Sequence, residues 1–272
     1  MLRFSVVDFL NARPLTWGLL HDPPEGVEVS RDLPSACAEK LARGDADVGL
    51  IPSIEYQRIP GLTVIPSLGI AASSEVRSVL LVSRVSREKI ATVALDPASR
   101  TSAALTRILL ARRYSVRPAF TEAEGAEAEG ADARLVIGDP ALKTRLNGHV
   151  VLDLAAEWRA FTGRPFVFAF WAVREGVDGY AAERIVRDSY DRGRAELDRI
   201  VRDEAASSGL SEAVVEDYLR HCLRFDLDRA DFGGLELFYR LAADQGLIPA
   251  ARPIELLSHG PAPAARAIEF PS

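Results

Sequence analysis

Short apolar runs alternate with helical stretches along the first third of the chain, and no other feature constrains the fold as strongly. Strands are predicted at residues 3–7, 27–30 and 47–51, with helices at residues 11–20 and 34–43 between them. Gly44 follows the second helix directly, as expected for a helix C-cap. Because a helix separates each pair of strands, the strands are expected to pair in parallel, which indicates an α/β protein.

The same alternation resumes further along the chain and predicts two lobes. Strand-like runs follow at residues 78–83, 91–96, 116–120, 133–139 and 165–173, with a helix at residues 100–113, and residues 178–247 have a helical pattern. We expect residues 1–83 and 172–272 to form lobe one, and residues 84–171 to form an inserted lobe two. A single large sheet would give a similar pattern, so that arrangement stays open. The acidic segment 122–131 is expected to be a solvated loop or a short surface helix.

Composition excludes several classes of protein. The chain has 272 residues, a formal net charge of −6 and a pI near 5.4, which disfavours binding to nucleic acid. No apolar run approaches the ~20 residues of a membrane span. Arg3 and Asp8 interrupt the apolar N-terminal stretch, so it lacks the pattern of a secretory signal. We therefore expect a soluble, cytoplasmic protein without membrane partners, whose apolar C-terminal helices form either core or a homodimer face.

The usual catalytic and cofactor motifs are missing. The histidines show no spacing typical of metal ligands; they are His21, His149, His221 and His259. The two cysteines, Cys37 and Cys222, cannot build a disulfide framework or a four-cysteine zinc site. The sequence contains no HExxH, CxxC, P-loop, GxGxxG or GxSxG motif. We therefore expect no metal and no cofactor, which leaves cofactor-free chemistry or simple binding.

Polar residues stand where predicted strands end and helices begin, the edge at which α/β sheets bind ligands. Asn11 follows the first strand, where its amide is suited either to a ligand or to capping the helix. The turn with Ser99, Arg100, Thr101 and Ser102 combines hydroxyls, a guanidinium and a helix N-terminus, which favours an anion site over an ordinary N-cap.

The remaining candidate residues each have a structural explanation beside the functional one. Ser78 opens the predicted crossing strand, but a single serine is more often structural. Gly138 and Asp139 end a strand before a helix, where the glycine allows close approach of a ligand and the aspartate is suited to capping. Trp171 closes an aromatic run, residues 168–171, of a type that belongs more often to the core than to a ligand platform.

Six motifs in order resemble one known family. They are FLNARPLTWGL, GDADVGLIPSIEY, RSVLLVS, SRTSAAL, VIGDPAL and GRPFVFAFWAVR, between about Val6 and Arg174. This series resembles the chorismate dehydratases of the futalosine route to menaquinone. The resemblance implies a two-lobed α/β fold of the type II periplasmic-binding-protein kind. It further implies catalytic roles for Asn11 and Ser78, and contact of Ser99, Thr101 and Ser102 with a substrate carboxylate.

Two alternatives accompany this interpretation. A sister family of the same fold, the 1,4-dihydroxy-6-naphthoate synthases, begins with a Ser-Pro-Cys-Pro-Asn-Asp-type motif and carries a catalytic histidine in its second lobe. Here the start is Phe9-Leu10-Asn11-Ala12-Arg13-Pro14, and His149 lies in no matching motif, which favours the dehydratase. The other alternative is a non-catalytic protein that binds a small anion. For the dehydratase, the substrate is chorismate, with Arg100, Gly138, Asp139 and Trp171 as further substrate-binding candidates.

Overall fold

The computed structural model describes residues 1–123, 128–144 and 148–258, whose strands form two separate mixed sheets. The strands are β1 (Leu2–Val7), β2 (Val27–Asp32), β3 (Val48–Pro52), β4 (Leu62–Ala72), β5 (Val79–Ser83), β6 (Thr92–Leu95), β7 (Ala119–Glu122), β8 (Ala133–Ile137), β9 (Val150–Asp153), β10 (Phe166–Arg174) and β11 (Arg224–Asp226). The helices are α1 (Arg13–His21), α2 (Pro34–Arg43), α3 (Arg100–Arg112), α4 (Gly138–Lys143), α5 (Leu154–Thr162), α6 (Gly179–Ala195), α7 (Leu197–Ser208), α8 (Glu212–Asp217) and α9 (Arg229–Asp244). Short 3-10 turns cover Leu10–Ala12, Ser53–Gln57 and Arg87–Lys89, and a π-helical turn covers Tyr218–Cys222.

The first sheet has the strand order β11-β4-β10-β3-β1-β2. β1 pairs in parallel with β2 and with β3, which confirms the pairing expected from the alternation of strands and helices. Gly44 ends α2 in the left-handed conformation (φ +81°), as expected for a C-cap. β10 runs antiparallel to both β3 and β4, so the sheet is mixed. Its residues from Phe166 to Val173 are all buried, because helices cover the centre of this sheet.

The second sheet has the strand order β7-β6-β8-β5-β9 and is inserted between β4 and β10 of the first. We call the first sheet with its helices the first lobe, and the second sheet with its helices the second lobe. The chain changes sheet between Ala72 and Val79 and returns between Asp153 and Phe166. Both changes lie before the predicted boundaries at 83/84 and 171/172. Strand β5 thus belongs to the second lobe, and all of β10 belongs to the first.

The displaced boundaries have a local cause in β4, a strand that the apolar pattern did not predict. Pro66 and Ser67 interrupt its sequence, and Ser67 has a positive φ of 66°. The pairing of β4 with β10 is correspondingly irregular at this point. Because the apolar pattern does not predict β4, the next apolar run, residues 78–83, takes its place as the last strand of the first lobe in the sequence-based prediction.

The C-terminal helices pack against the first lobe. α6 packs against α1, and the Ser189 hydroxyl donates to the carbonyl of Leu15 at 2.9 Å. α9 supplies Phe238, which meets Trp158 and Phe166 edge-on. Within the helical pattern predicted for residues 178–247, the structure also contains the short strand β11.

Among the described residues, no helix is long and apolar enough to cross a membrane. The middle of the acidic segment, residues 124–127, and His259 lie outside the described residues.

Candidate functional site

A pocket lies between the two lobes, and polar residues from both lobes line it. About 550 Å³ of empty space lies within its lining atoms, a volume that includes open solvent. The polar lining residues are Asn11, Ser78, Ser99, Thr101 and Ser102. The others are Gly138 and the apolar Val7, Phe9, Pro34, Pro52, Ile70, Val76, Val79, Ile137, Phe168 and Ala169. The recorded lining therefore contains no charged side chain.

Several helices begin at this pocket, and none of them has a side-chain cap. The lining includes residues at the start of the 3-10 turns Leu10–Ala12 and Ser53–Gln57, and of α2, α3 and α4. The corresponding N-cap residues make no side-chain hydrogen bond to the helix; they are Phe9, Leu33, Pro52, Ser99 and Ile137. By contrast, Asp153, Asp178, Ser211 and Asp228 cap α5, α6, α8 and α9.

This contrast gives the pocket its electrostatic character. Free N–H groups in the first turn of a helix carry partial positive charge and are good hydrogen-bond donors to anions. Capping side chains satisfy some of these donors in α5, α6, α8 and α9, whereas α7 also begins away from the pocket and has no side-chain cap. At the pocket, the N–H groups of Leu10, Ile54 and Gly138 already donate to protein acceptors, which leaves the first turns of α2 and α3 as donors. These two helix starts suit a negatively charged ligand, although no lysine or arginine lines the pocket among the described residues.

Asn11 enters the pocket from the 3-10 turn between β1 and α1. The turn is closed by the Ala12 N–H, which donates to the carbonyl of Phe9 at 3.0 Å. The side-chain Oδ1 of Asn11 is buried and has no hydrogen-bond partner among the described residues. A buried polar atom without a partner is costly, so a ligand that donates to this oxygen gains a hydrogen bond that the free protein lacks.

Ser78 lies at the start of β5, with a residue exposure of 1%. Its Oγ accepts a hydrogen bond from the Tyr218 hydroxyl at 2.6 Å. Its carbonyl accepts one from the N–H of Gly138 at 2.8 Å, and its own N–H donates to the carbonyl of Val76 at 2.7 Å. Three contacts thus fix the position of Ser78 at the point where the chain enters the second lobe.

The hydroxyls at the start of α3 form a compact group. The Ser99 hydroxyl donates to Ser102 Oγ at 2.7 Å. Thr101 Oγ1 accepts a hydrogen bond at 3.2 Å from the N–H of Ile54, which belongs to the first lobe. The group therefore combines hydroxyls at the pocket with a direct link between the lobes.

Arg100 does not line the pocket, contrary to the prediction that it binds substrate. Its guanidinium pairs with Glu55 at 2.9 Å and with Glu39 at 2.5 Å. Burial lowers the pKa of Arg100, but these two carboxylates outweigh burial and raise it overall. The Glu55 side chain is only 4% exposed, so Arg100 helps to neutralise a buried charge.

Asp139 and Trp171 also lie outside the recorded pocket lining. Asp139 Oδ1 accepts the N–H of Leu10 at 3.2 Å, and burial raises the pKa of this carboxyl group. Asp139 therefore holds the turn that carries Asn11. Trp171 is fully buried and meets Phe4 edge-on at 6.3 Å, so Phe168 is the aromatic residue of β10 that lines the pocket.

Tyr218 is a residue of the site that the sequence did not indicate. It lies 140 residues from Ser78, in a stretch whose apolar spacing predicts an ordinary amphipathic helix. No local motif marks it. In the described part of the chain, no group of three or more histidine, cysteine, aspartate or glutamate residues is arranged to hold a metal ion.

Comparison with known proteins places these observations in a family. A family model described as menaquinone biosynthesis matches residues 2–244. A chorismate dehydratase of Thermus thermophilus is 30% identical over 235 residues, which cover 79% of this chain and 86% of that protein. A chorismate dehydratase of Campylobacter jejuni is 33% identical over 172 residues, which cover 61% and 65%. The resemblance seen in the six motifs is thereby confirmed.

Solved structures show the same fold at low sequence identity. A crystal structure of an Archaeoglobus fulgidus protein superposes with a TM-score of 0.75 and 17% identity, covering 90% of this chain and 98% of that one. The periplasmic aliphatic sulphonate binding protein of Escherichia coli gives a TM-score of 0.62 at 14% identity, covering 99% and 97%. These neighbours confirm the predicted two-lobed α/β fold of the periplasmic-binding-protein kind.

Proposed function

The chain belongs to the menaquinone biosynthesis family, and on that premise we propose that it is a chorismate dehydratase. This hydro-lyase removes water from chorismate to give 3-enolpyruvylbenzoate, in the futalosine route. The observation that carries the proposal is the pocket between the lobes, where uncapped helix N-termini meet neutral polar side chains. Chorismate fits such a pocket because it is a ring with two carboxylates and little other charge.

The pocket divides into parts that match those of the substrate. The start of α3, with Ser99, Thr101 and Ser102, provides hydroxyls and free N–H groups for one carboxylate. Apolar side chains such as Val79 and Phe168 surround the ring. Gly138, with a φ of +63°, lets the backbone at the start of α4 lie close to the ligand.

The elimination gains its driving force from the substrate, because loss of water makes the ring aromatic. A proton leaves the ring carbon that bears the enolpyruvyl ether, a carbon–carbon double bond forms, and the hydroxyl leaves from the adjacent carbon. The recorded pocket lining contains no histidine, cysteine or carboxylate to take that proton. We assign the base to the enolpyruvyl carboxylate of chorismate itself, which then passes the proton to the departing hydroxide to form water.

The protein contributes positioning and hydrogen bonds. Asn11 holds the leaving hydroxyl, which donates to the unpartnered Oδ1. Ser78 donates to the reacting group from the opposite lobe. Enclosure between the lobes keeps water away, which favours this elimination over rearrangement or loss of pyruvate.

Incubation of the purified protein with chorismate tests the proposal, with products separated by liquid chromatography and identified by mass. We expect a new aromatic product that has lost one water. We also expect kcat to fall by about 100-fold for Asn11→Ala, because the leaving hydroxyl loses the acceptor that orients it and a misplacement of about 1 Å can cost that much. Recovery of unchanged chorismate would support a binding protein instead. Near-native turnover by folded Asn11→Ala would contradict the role of Asn11.

A further inference from the structure

Tyr218 forms a hydrogen bond with the pocket residue Ser78 but is not itself one of the residues that line the pocket. It begins the π-helical turn Tyr218–Cys222, which directly follows α8. Such turns are rare and occur frequently at functional sites. The Tyr218 side chain is almost completely buried, and its hydroxyl lies 2.6 Å from Ser78 Oγ.

The environment of the two hydroxyls decides which of them donates. The hydrogen bond to Ser78 is the one recorded for the Tyr218 hydroxyl among the described residues, and a buried O–H without an acceptor is costly. Tyr218 therefore donates, and Ser78 Oγ accepts. The hydrogen of the Ser78 hydroxyl is then left for an acceptor on the other side, where Ser78 lines the pocket.

We propose that Tyr218 is a positioning residue that fixes the Ser78 hydroxyl as a hydrogen-bond donor to the substrate. The inference rests on the proposed dehydratase function and adds a residue to it. A hydroxyl that already accepts a hydrogen bond becomes a better donor, because successive hydrogen bonds polarise one another. Tyr218 acts on the reaction through Ser78 and does not itself contact the substrate.

The neighbouring residues hold this arrangement in place. Asp217, adjacent to Tyr218, pairs with Arg77 at 2.5 Å. Arg77 has a positive φ of 58°, and its N–H donates to Asp153 Oδ2 at 2.6 Å. Residues 217 and 218 thus contact two successive residues, Arg77 and Ser78, in the segment that enters the second lobe. Ser78 lines the pocket from this segment.

Tyr218 keeps its own proton in this role. Burial raises the pKa of its hydroxyl far above the ordinary value, so a buried tyrosinate does not form at neutral pH. The proton that completes the water molecule therefore comes from the substrate. The contribution of Tyr218 is the direction and strength of one hydrogen bond.

A double-mutant cycle on the full-length protein tests the inference, with chorismate turnover as the readout. We expect Tyr218→Phe to lower kcat about tenfold with KM within about twofold, and Ser78→Ala to lower kcat about 100-fold. The double variant is expected to match Ser78→Ala within about twofold, because Tyr218 has no effect without its acceptor. Tyr190→Phe is the matched control, since Tyr190 is buried and loses one hydrogen bond to Asp226 away from the pocket. It should retain wild-type kcat.

Additive losses in the double variant, or a Tyr218→Phe variant with wild-type kcat, would overturn the inference. If Tyr218→Phe does not fold, Tyr218→Gln and Tyr218→Met replace it. Gln and Met are similar to each other in length, and only Gln carries an N–H donor. We then expect kcat for Gln to exceed that for Met at least fivefold, and equal values would count against the inference. If the wild-type protein turns over no chorismate, the proposed function is overturned, and this role of Tyr218 with it. If the wild type is active and the kcat losses of the two single variants add in the double variant, only the role of Tyr218 is overturned.

Discussion

Replacement of Arg100 by methionine separates a structural role for this residue from a role in substrate binding. Arg100 pairs with Glu55, whose side chain is 4% exposed and is also paired with Arg58 at 2.7 Å. Arg100→Met keeps most of the apolar stem and removes the charge. The variant leaves a buried carboxylate with one partner instead of two.

The expected magnitude follows from this geometry. Breaking a buried ion pair costs about 3–5 kcal/mol when the remaining charge has no other partner. Here Arg58 remains, and the Arg100 side chain is 32% exposed, so solvent screens part of the interaction. We expect a loss of about 1–2 kcal/mol in the free energy of unfolding. At about 2–4 °C per kcal/mol for a chain of this size, Tm should fall by about 2–8 °C.

Thermal unfolding and steady-state kinetics with chorismate measure the two effects separately. KM should stay within about twofold of wild type, because Arg100 lies outside the recorded pocket lining. Arg112→Met is the control on the same helix: its pair with Asp244 is exposed on both sides, so Tm should change little. A hydrogen bond from a guanidinium to a substrate carboxylate is worth about 1.5–3 kcal/mol. An unchanged Tm with KM raised tenfold or more would therefore refute the structural role.

Three other predictions concern the two lobes. Asp139→Ala removes the acceptor for the Leu10 N–H and should lower kcat, whereas Asp139→Asn keeps an acceptor oxygen and should recover most of it; equal turnover by both variants would contradict this. Gly138→Ala forces a residue with a Cβ to adopt a φ of +63° and should destabilise the protein by about 1–2 kcal/mol in urea unfolding, so an unchanged midpoint would count against strain at this position. Hydrogen bonds from Arg3 hold the pKa of Asp47 below its ordinary value. The ionised Asp47 carboxylate therefore stabilises the folded protein fully above about pH 4, and this stabilisation is lost as pH falls through the lowered pKa. Asp47→Asn should therefore lose less stability than wild type between about pH 4 and pH 2, and identical slopes would show that the pair contributes nothing.

Local sequence patterns predict those structural elements whose conformation depends on their own residues. The helix α2 with its cap at Gly44 follows from apolar spacing and one glycine. The hydroxyls at the start of α3 are adjacent in the sequence, so the turn stands out as a candidate anion site, and Ser99, Thr101 and Ser102 line the pocket. Asn11 and Ser78 were found at strand ends, where the topology of α/β sheets brings ligands.

Residues whose role depends on distant partners were not predictable in this way. The carboxylates that engage Arg100 lie 45 and 61 residues earlier in the chain, so its sequence neighbours suggested a free guanidinium. Trp171 and Phe168 belong to the same apolar run, and only packing shows that Phe168 lines the pocket. The strand β4 was missed because Pro66 breaks its pattern, and tertiary pairing outweighs that local preference.

The uncapped helix starts also limit what substitution can achieve at this pocket. A main-chain amide survives every side-chain replacement except proline, so scanning the hydroxyl residues of α3 with alanine should weaken anion affinity without abolishing it. Selection for a different acid would therefore have to act on the side chains that face the ring, such as Val79 and Phe168. For the proposed dehydratase, charge recognition is in this sense a property of the backbone scaffold, and the choice among acids depends on a few apolar positions that can vary.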